Sequence, residues 1–143
     1  KMPKSLFLLF LLFSNCESKE PNVPSQLVRV VVDSIPQLNG MNPWDPNDGP
    51  DIQLEVSLDS TIVYLSNPNR YINSISGPYV FDFDPPIKYI PYENVFNFLI
   101  YDIDTLNSKE KIDSFSYSPF PIQSPWSETI IAISRWTFVV TTQ

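Results

Sequence analysis

Apolar residues in this chain recur at every second position, and that period fixes what the chain can fold into. Ile52-Gln53-Leu54-Glu55-Val56-Ser57-Leu58 alternates most cleanly, with Ile52, Leu54, Val56 and Leu58 on one side. Side chains alternate across a strand, so this pattern predicts a half-buried β-strand. The run Val95 to Tyr101 is more apolar. Phe96, Phe98 and Ile100 share one face, and Val95, Leu99 and Tyr101 the other, predicting a strand covered on part of both faces. Leu27 to Asp33, Thr61 to Leu65, Tyr79 to Asp84, Lys111 to Tyr117 and Thr129 to Thr142 read the same way, the last of them broken near Ser134-Arg135. The segment from Tyr79 is expected to stop at Asp84-Pro85-Pro86, because proline cannot donate to a ladder.

Fifteen prolines and three glycines punctuate these runs, and no helical period appears after the first residues. Seven or eight short strands separated by turn signals predict an all-β antiparallel sandwich. With 143 residues there is room for one domain with its own core.

The formal net charge of −7 and the lack of basic clusters exclude nucleic acid as a partner, since phosphate counterions need cationic replacements. The chain has no histidine, which removes the commonest general base and the usual nucleophile arrangements. A binding protein is therefore expected rather than an enzyme.

Residues 1–15 combine a basic start with the apolar block Leu6 to Phe13, the pattern of an export signal too short to span a bilayer. Cys16, the single cysteine, follows Ser14-Asn15 at the end of that block. This arrangement resembles a bacterial lipoprotein signal, with Phe13 and Asn15 departing from the usual box. The resemblance implies acylation of Cys16, attachment to a membrane through lipid, and a place in the bacterial cell envelope, at the outer membrane or cell surface. Residues 16–26 are polar and carry prolines, as a tether does, leaving 27–143 as the folded domain.

Two loops carry acids at suggestive offsets. Asp45 and Asp51 lie six apart, and Asp51 opens the alternating strand. Asp102 and Asp104 end the apolar strand on one face, and Glu110 follows Asp104 by six. Carboxylates that converge without a base repel one another, and a hard dication relieves this. At this point the sequence resembles the C2 domain, a calcium-dependent lipid-binding β-sandwich. In that family the first calcium loop has two aspartates six apart, and the third reads Tyr-Asp-x-Asp with a further acid six residues on. The resemblance covers roughly 27–115. It implies a C2-like sandwich, with Asp45, Asp51, Asp102, Asp104 and Glu110 as calcium ligands and Asp48 as a spare acid. Glu110 stands where aspartate is usual, Pro50 where serine is common, and no glycine follows Ile112.

Two functions follow from these residues. One is a lipid-anchored envelope binding module with a calcium-binding domain and an anionic ligand. The other is a metal-independent sandwich lipoprotein that presents loops to a protein or glycan. Met41, Trp44 and Leu106 stand near loop tips where they could enter a lipid interface, and Tyr71, Tyr79, Tyr89, Tyr92 and Trp126 could line a sugar platform or simply pack.

Overall fold

A computed structural model describes residues 23–44, 49–74, 76–104, 108–119 and 128–142. Cys16, Asp45, Asp48, Leu106 and Trp126 lie outside these. Two four-stranded antiparallel sheets face each other. In the first, the order is β6 (Tyr79–Tyr89), β1 (Ser25–Val32), β10 (Trp136–Thr142) and β9 (Glu128–Ile133). In the second it is β5 (Thr61–Leu65), β4 (Ile52–Leu58), β7 (Phe96–Ile103) and β8 (Lys109–Tyr117). A two-residue pair, β2 (Leu38–Asn39) with β3 (Asn42–Pro43), sits in the loop between β1 and β4. Gly40, at φ 67, opens the turn between β2 and β3, the position at which a two-residue hairpin calls for glycine. The only helical element among the described residues is the 3₁₀ turn Pro68–Arg70. The antiparallel all-β sandwich expected from the alternation is therefore the fold.

The alternation also sets what is buried. Val30 and Val32 of β1, Ile52, Leu54 and Val56 of β4, Phe96, Phe98 and Ile100 of β7, and Phe138 and Val140 of β10 point into the space between the sheets. Phe98 lies at its centre, with ring centroids of Phe138 and Trp136 5.0 and 5.8 Å away. Each such side chain contributes about 1.5–3 kcal/mol of transfer free energy, so the inner faces of β7 and β10 hold the two sheets together. The outer face of β7 is partly covered, as the sequence predicts, with Asn97, Leu99 and Tyr101 each between buried and exposed.

Strand ends shift by a residue or two from the sequence expectation, β8 for instance beginning at Lys109, and two boundaries in the first sheet bear on its pairing. β1 begins at Ser25, two residues inside the segment read as tether, because Ser25 and Gln26 already pair with Thr142 and Thr141 on one side and with Tyr89 and Lys88 on the other. The strand from Tyr79 does not stop at Asp84. It continues to Tyr89, since Arg29 pairs with Asp82 and Leu27 with Ile87, leaving residues 83–86 opposite Val28 alone. Pro85 and Pro86 fall in this bulge on an edge strand, where no ladder hydrogen bond is required of them.

Candidate functional site

The ladder between β4 and β7 brings two distant acids together. Ile52 pairs with Asp102. The backbone N–H of Asp51 consequently donates to Oδ1 of Asp102 at 2.8 Å, and the N–H of Ile103 donates to the carbonyl of Asp51 at 3.0 Å. Asp102 continues the inward series Phe96, Phe98, Ile100 and is only 1% exposed. A carboxylate so buried needs a hydrogen-bonding partner, and Asp51 supplies one from the other loop. β8 then returns with Glu110 opposite Asp102. The connection is closed by Asp104, whose N–H donates to the carbonyl of Ser108 at 3.2 Å and whose Oδ2 accepts from Ser108 Oγ at 2.5 Å.

A third loop, 66–78, meets the same end and carries no acid, so a search for carboxylates passes over it. Its Asn73, at φ 51, donates its backbone N–H to Oδ1 of Asp51 at 2.8 Å. Ser74 N–H donates to the carbonyl of Pro50 at 3.0 Å, and Ile52 N–H to the carbonyl of Tyr71 at 2.9 Å. Tyr71 ties this loop to the other sheet: its hydroxyl accepts from Val80 N–H at 2.6 Å and donates to the carbonyl of Val80 at 2.9 Å. Gly77 lies so close to β1 that a Cβ there would stand 2.3 Å from the carbonyl oxygen of Asp33. The sequence signal for this loop was a polar Asn-Ser stretch ending in Gly-Pro, which marks a turn without revealing a carboxylate clamp.

The structure thus brings Asp51, Asp102, Asp104 and Glu110 to one end of the sandwich. Among the described residues no three acids, cysteines or histidines close around a single point, and Asp45, the further acid of the expected set, lies outside those residues. The carboxylates of Asp51, Asp102 and Asp104 each accept a hydrogen bond from the chain itself. An ionised carboxylate has about four lone-pair sites on two oxygens, so the one bond that each of Asp51 and Asp104 accepts among the described residues does not fill its capacity. These are hard oxygen donors, the type calcium takes.

Lys109, beside Glu110 in sequence, points away from these acids. Its Nζ lies 2.8 Å from Oε2 of Glu55 and 3.7 Å from the ring centroid of Tyr101, on the outer face of the second sheet.

Of the loop-tip residues, Met41 is 96% exposed. Trp44 instead folds back, its indole N–H donating to the carbonyl of Pro36 at 2.7 Å, and it lines a pocket of about 230 Å³ with Ile35, Leu38 and Pro50. The aromatic platform does not form from Tyr71, Tyr79, Tyr89 and Tyr92. Tyr79 and Tyr89 are core residues, Tyr71 is clamped to Val80, and Tyr92 stands exposed in the β6–β7 connection at the opposite end.

No protein-family model matches the sequence, and no curated protein matches it. Among solved structures the chain is similar to a C2 domain of plant extended synaptotagmin 1, at 16% identity and TM-score 0.43, over 82% of this chain and 88% of that one. It is also similar to a C2 domain protein from Ramazzottius varieornatus, at 14% identity and TM-score 0.47, over 83% and 86% of the two chains.

Proposed function

We propose that this chain is a non-enzymatic binding module, anchored by an acylated Cys16 in a bacterial envelope membrane, whose three-loop end takes up calcium and uses it to hold an anionic ligand. The observation that carries this reading is the contact of Asp51 with Asp102: residues 51 apart in sequence meet as the backbone N–H of Asp51 donates to Oδ1 of Asp102 at 2.8 Å, with Glu110 opposite Asp102 in the ladder and Asp104 two residues on. On this reading Asp45, Asp51, Asp102, Asp104 and Glu110 hold the cation, and backbone carbonyls and water complete its oxygen shell. The bound metal would neutralise an acidic loop end and give an anionic group a positive partner.

A second reading is a metal-independent sandwich that binds a protein or glycan. It is supported by the hydrogen bonds that Asn73, the Asp51 backbone and Ser108 give to the carboxylates, which hold the loops without a cation. Calorimetric titration of the purified protein with calcium separates the two. Saturable heat and a raised Tm support the first reading, and a flat trace with an unchanged Tm supports the second.

A further inference from the structure

The strands of the sandwich run between two ends, and the N-terminal link meets one of them. β1 enters at Ser25, and Ser25 pairs with Tyr89 at the last residue of β6 and with Thr142 near the chain terminus. Asp51, Asp102, Asp104 and Glu110 lie at the other end, beyond Val32, Ile52 and Ile103, where Leu38, Met41 and Ile72 are exposed, and Asp59 and Glu93 stand at the Ser25 end. Eight residues of β1 separate the two ends by about 26 Å.

The end at which β1 enters carries exposed apolar residues. Tyr92 is 66% exposed, and Ile90 and Val95 flank it in the same β6–β7 connection. This connection is firmly built: the N–H of Tyr92 donates to the carbonyl of Pro119, and Asp59 accepts from both Val95 N–H and Asn94 Nδ2. The exposed side chains are therefore held in place. Val23 joins them, since it precedes β1 beside Tyr89 and its carbonyl accepts from Ser25 Oγ at 3.4 Å.

We infer that Val23, Ile90, Tyr92 and Val95 form a seat on the interface of the bilayer that anchors the chain, so that the acidic loops face away from that bilayer. The inference rests on the proposed acylation of Cys16. Eight residues lie between Cys16 and Ser25; an unconstrained link of those nine Cα steps reaches about 17 Å and a fully extended one about 32 Å. The short reach brings the Val23 end to the membrane, whereas turning the acids toward it would require the link to run the height of the sandwich. Tyrosine and aliphatic side chains at one rim are the chemistry of a membrane–water interface, where an aromatic ring can keep its hydroxyl wet. The ligand of the acidic end is accordingly drawn from the side opposite the anchoring membrane.

The test uses the full acylated chain in phosphatidylethanolamine–phosphatidylglycerol vesicles containing spin-labelled lipid. Acylation consumes the single native thiol, so a fluorophore can be placed at Glu93→Cys or at Met41→Cys. The expected result is quenching several-fold stronger at position 93 than at 41, with and without calcium, and loss of that excess in the Ile90→Glu, Tyr92→Glu double variant. Equal quenching at both positions, stronger quenching at 41, or shielding of the position 93 probe by another protein molecule without vesicles would overturn the seat. Mass spectrometry of the N-terminal peptide checks the anchor separately: an unmodified Cys16 would remove the anchor reading and the seat with it, whereas an acylated Cys16 with an unquenched position 93 removes the seat alone.

Discussion

Asp102 ends the inward face of β7 with its Oδ1 2.8 Å from the backbone nitrogen of Asp51, so a carboxylate at the top of the core fastens the start of β4. Hydrogen bonds to charged groups contribute about 1.5–3 kcal/mol. Asp102→Ala should lower unfolding stability by about that amount even in a chelator, because the Asp51 N–H loses its acceptor. Asp102→Asn keeps an acceptor oxygen and should lose less. Urea denaturation of the two variants with EDTA present measures the difference.

The tight turn between β4 and β5 depends on Asp59. Its φ is 57, and its carboxylate accepts from Val95 N–H and Asn94 Nδ2, both at 2.9 Å. Asp59→Gly removes the bonds while tolerating the backbone, at an expected cost of about 1–2 kcal/mol. Asp59→Ala removes the same bonds and adds left-handed strain of about 1 kcal/mol. Alanine should therefore be the worse substitution, although glycine is the more flexible residue. Thermal melts of both rank them.

Gly77 lies against β1, and an added Cβ would meet the Asp33 carbonyl oxygen at 2.3 Å. That oxygen is backbone and cannot rotate away, so Gly77→Ala must displace loop 66–78. The expected loss is about 1–3 kcal/mol. It should come with weaker protection from hydrogen exchange at Asn73 N–H, the group that holds Asp51.

Burial pushes the hydroxyl of Tyr89 up to about 12. The folded value lies above the unfolded one, so the stability linked to this group is complete below about pH 10 and is lost as pH rises toward 12. Denaturation midpoints should fall across that window, and Tyr89→Phe should make the fall shallower. The difference in ionised-tyrosine absorbance between wild type and Tyr89→Phe at each pH follows the same proton, since the chain has seven tyrosines.

The two sheets could be read from alternation alone because inward positions of β4 and β7 are apolar without exception until Asp102. Pro85 and Pro86 misled that reading, since a bulge on an edge strand is a feature of pairing with β1 and not of local sequence. The meeting of Asp51 with Asp102 was legible through their offsets in the two loops. The part played by Asn73 was not, because its backbone N–H does the work and any residue able to adopt φ near 51 could supply it. Trp44 illustrates a further limit. Its position near a loop tip suggested an outward ring, yet the carbonyl of Pro36 eight residues earlier turns it back.

The calcium reading is tested most directly by the melting temperature of the wild-type protein and of the Asp51→Asn, Asp104→Asn double variant, each with EDTA and with saturating calcium. A ligand present at 100 times its Kd adds about 2.7 kcal/mol to stability. The wild type should therefore melt several degrees higher with calcium, and the variant should melt at one temperature in both conditions. A wild-type melt that calcium leaves unmoved would contradict the account.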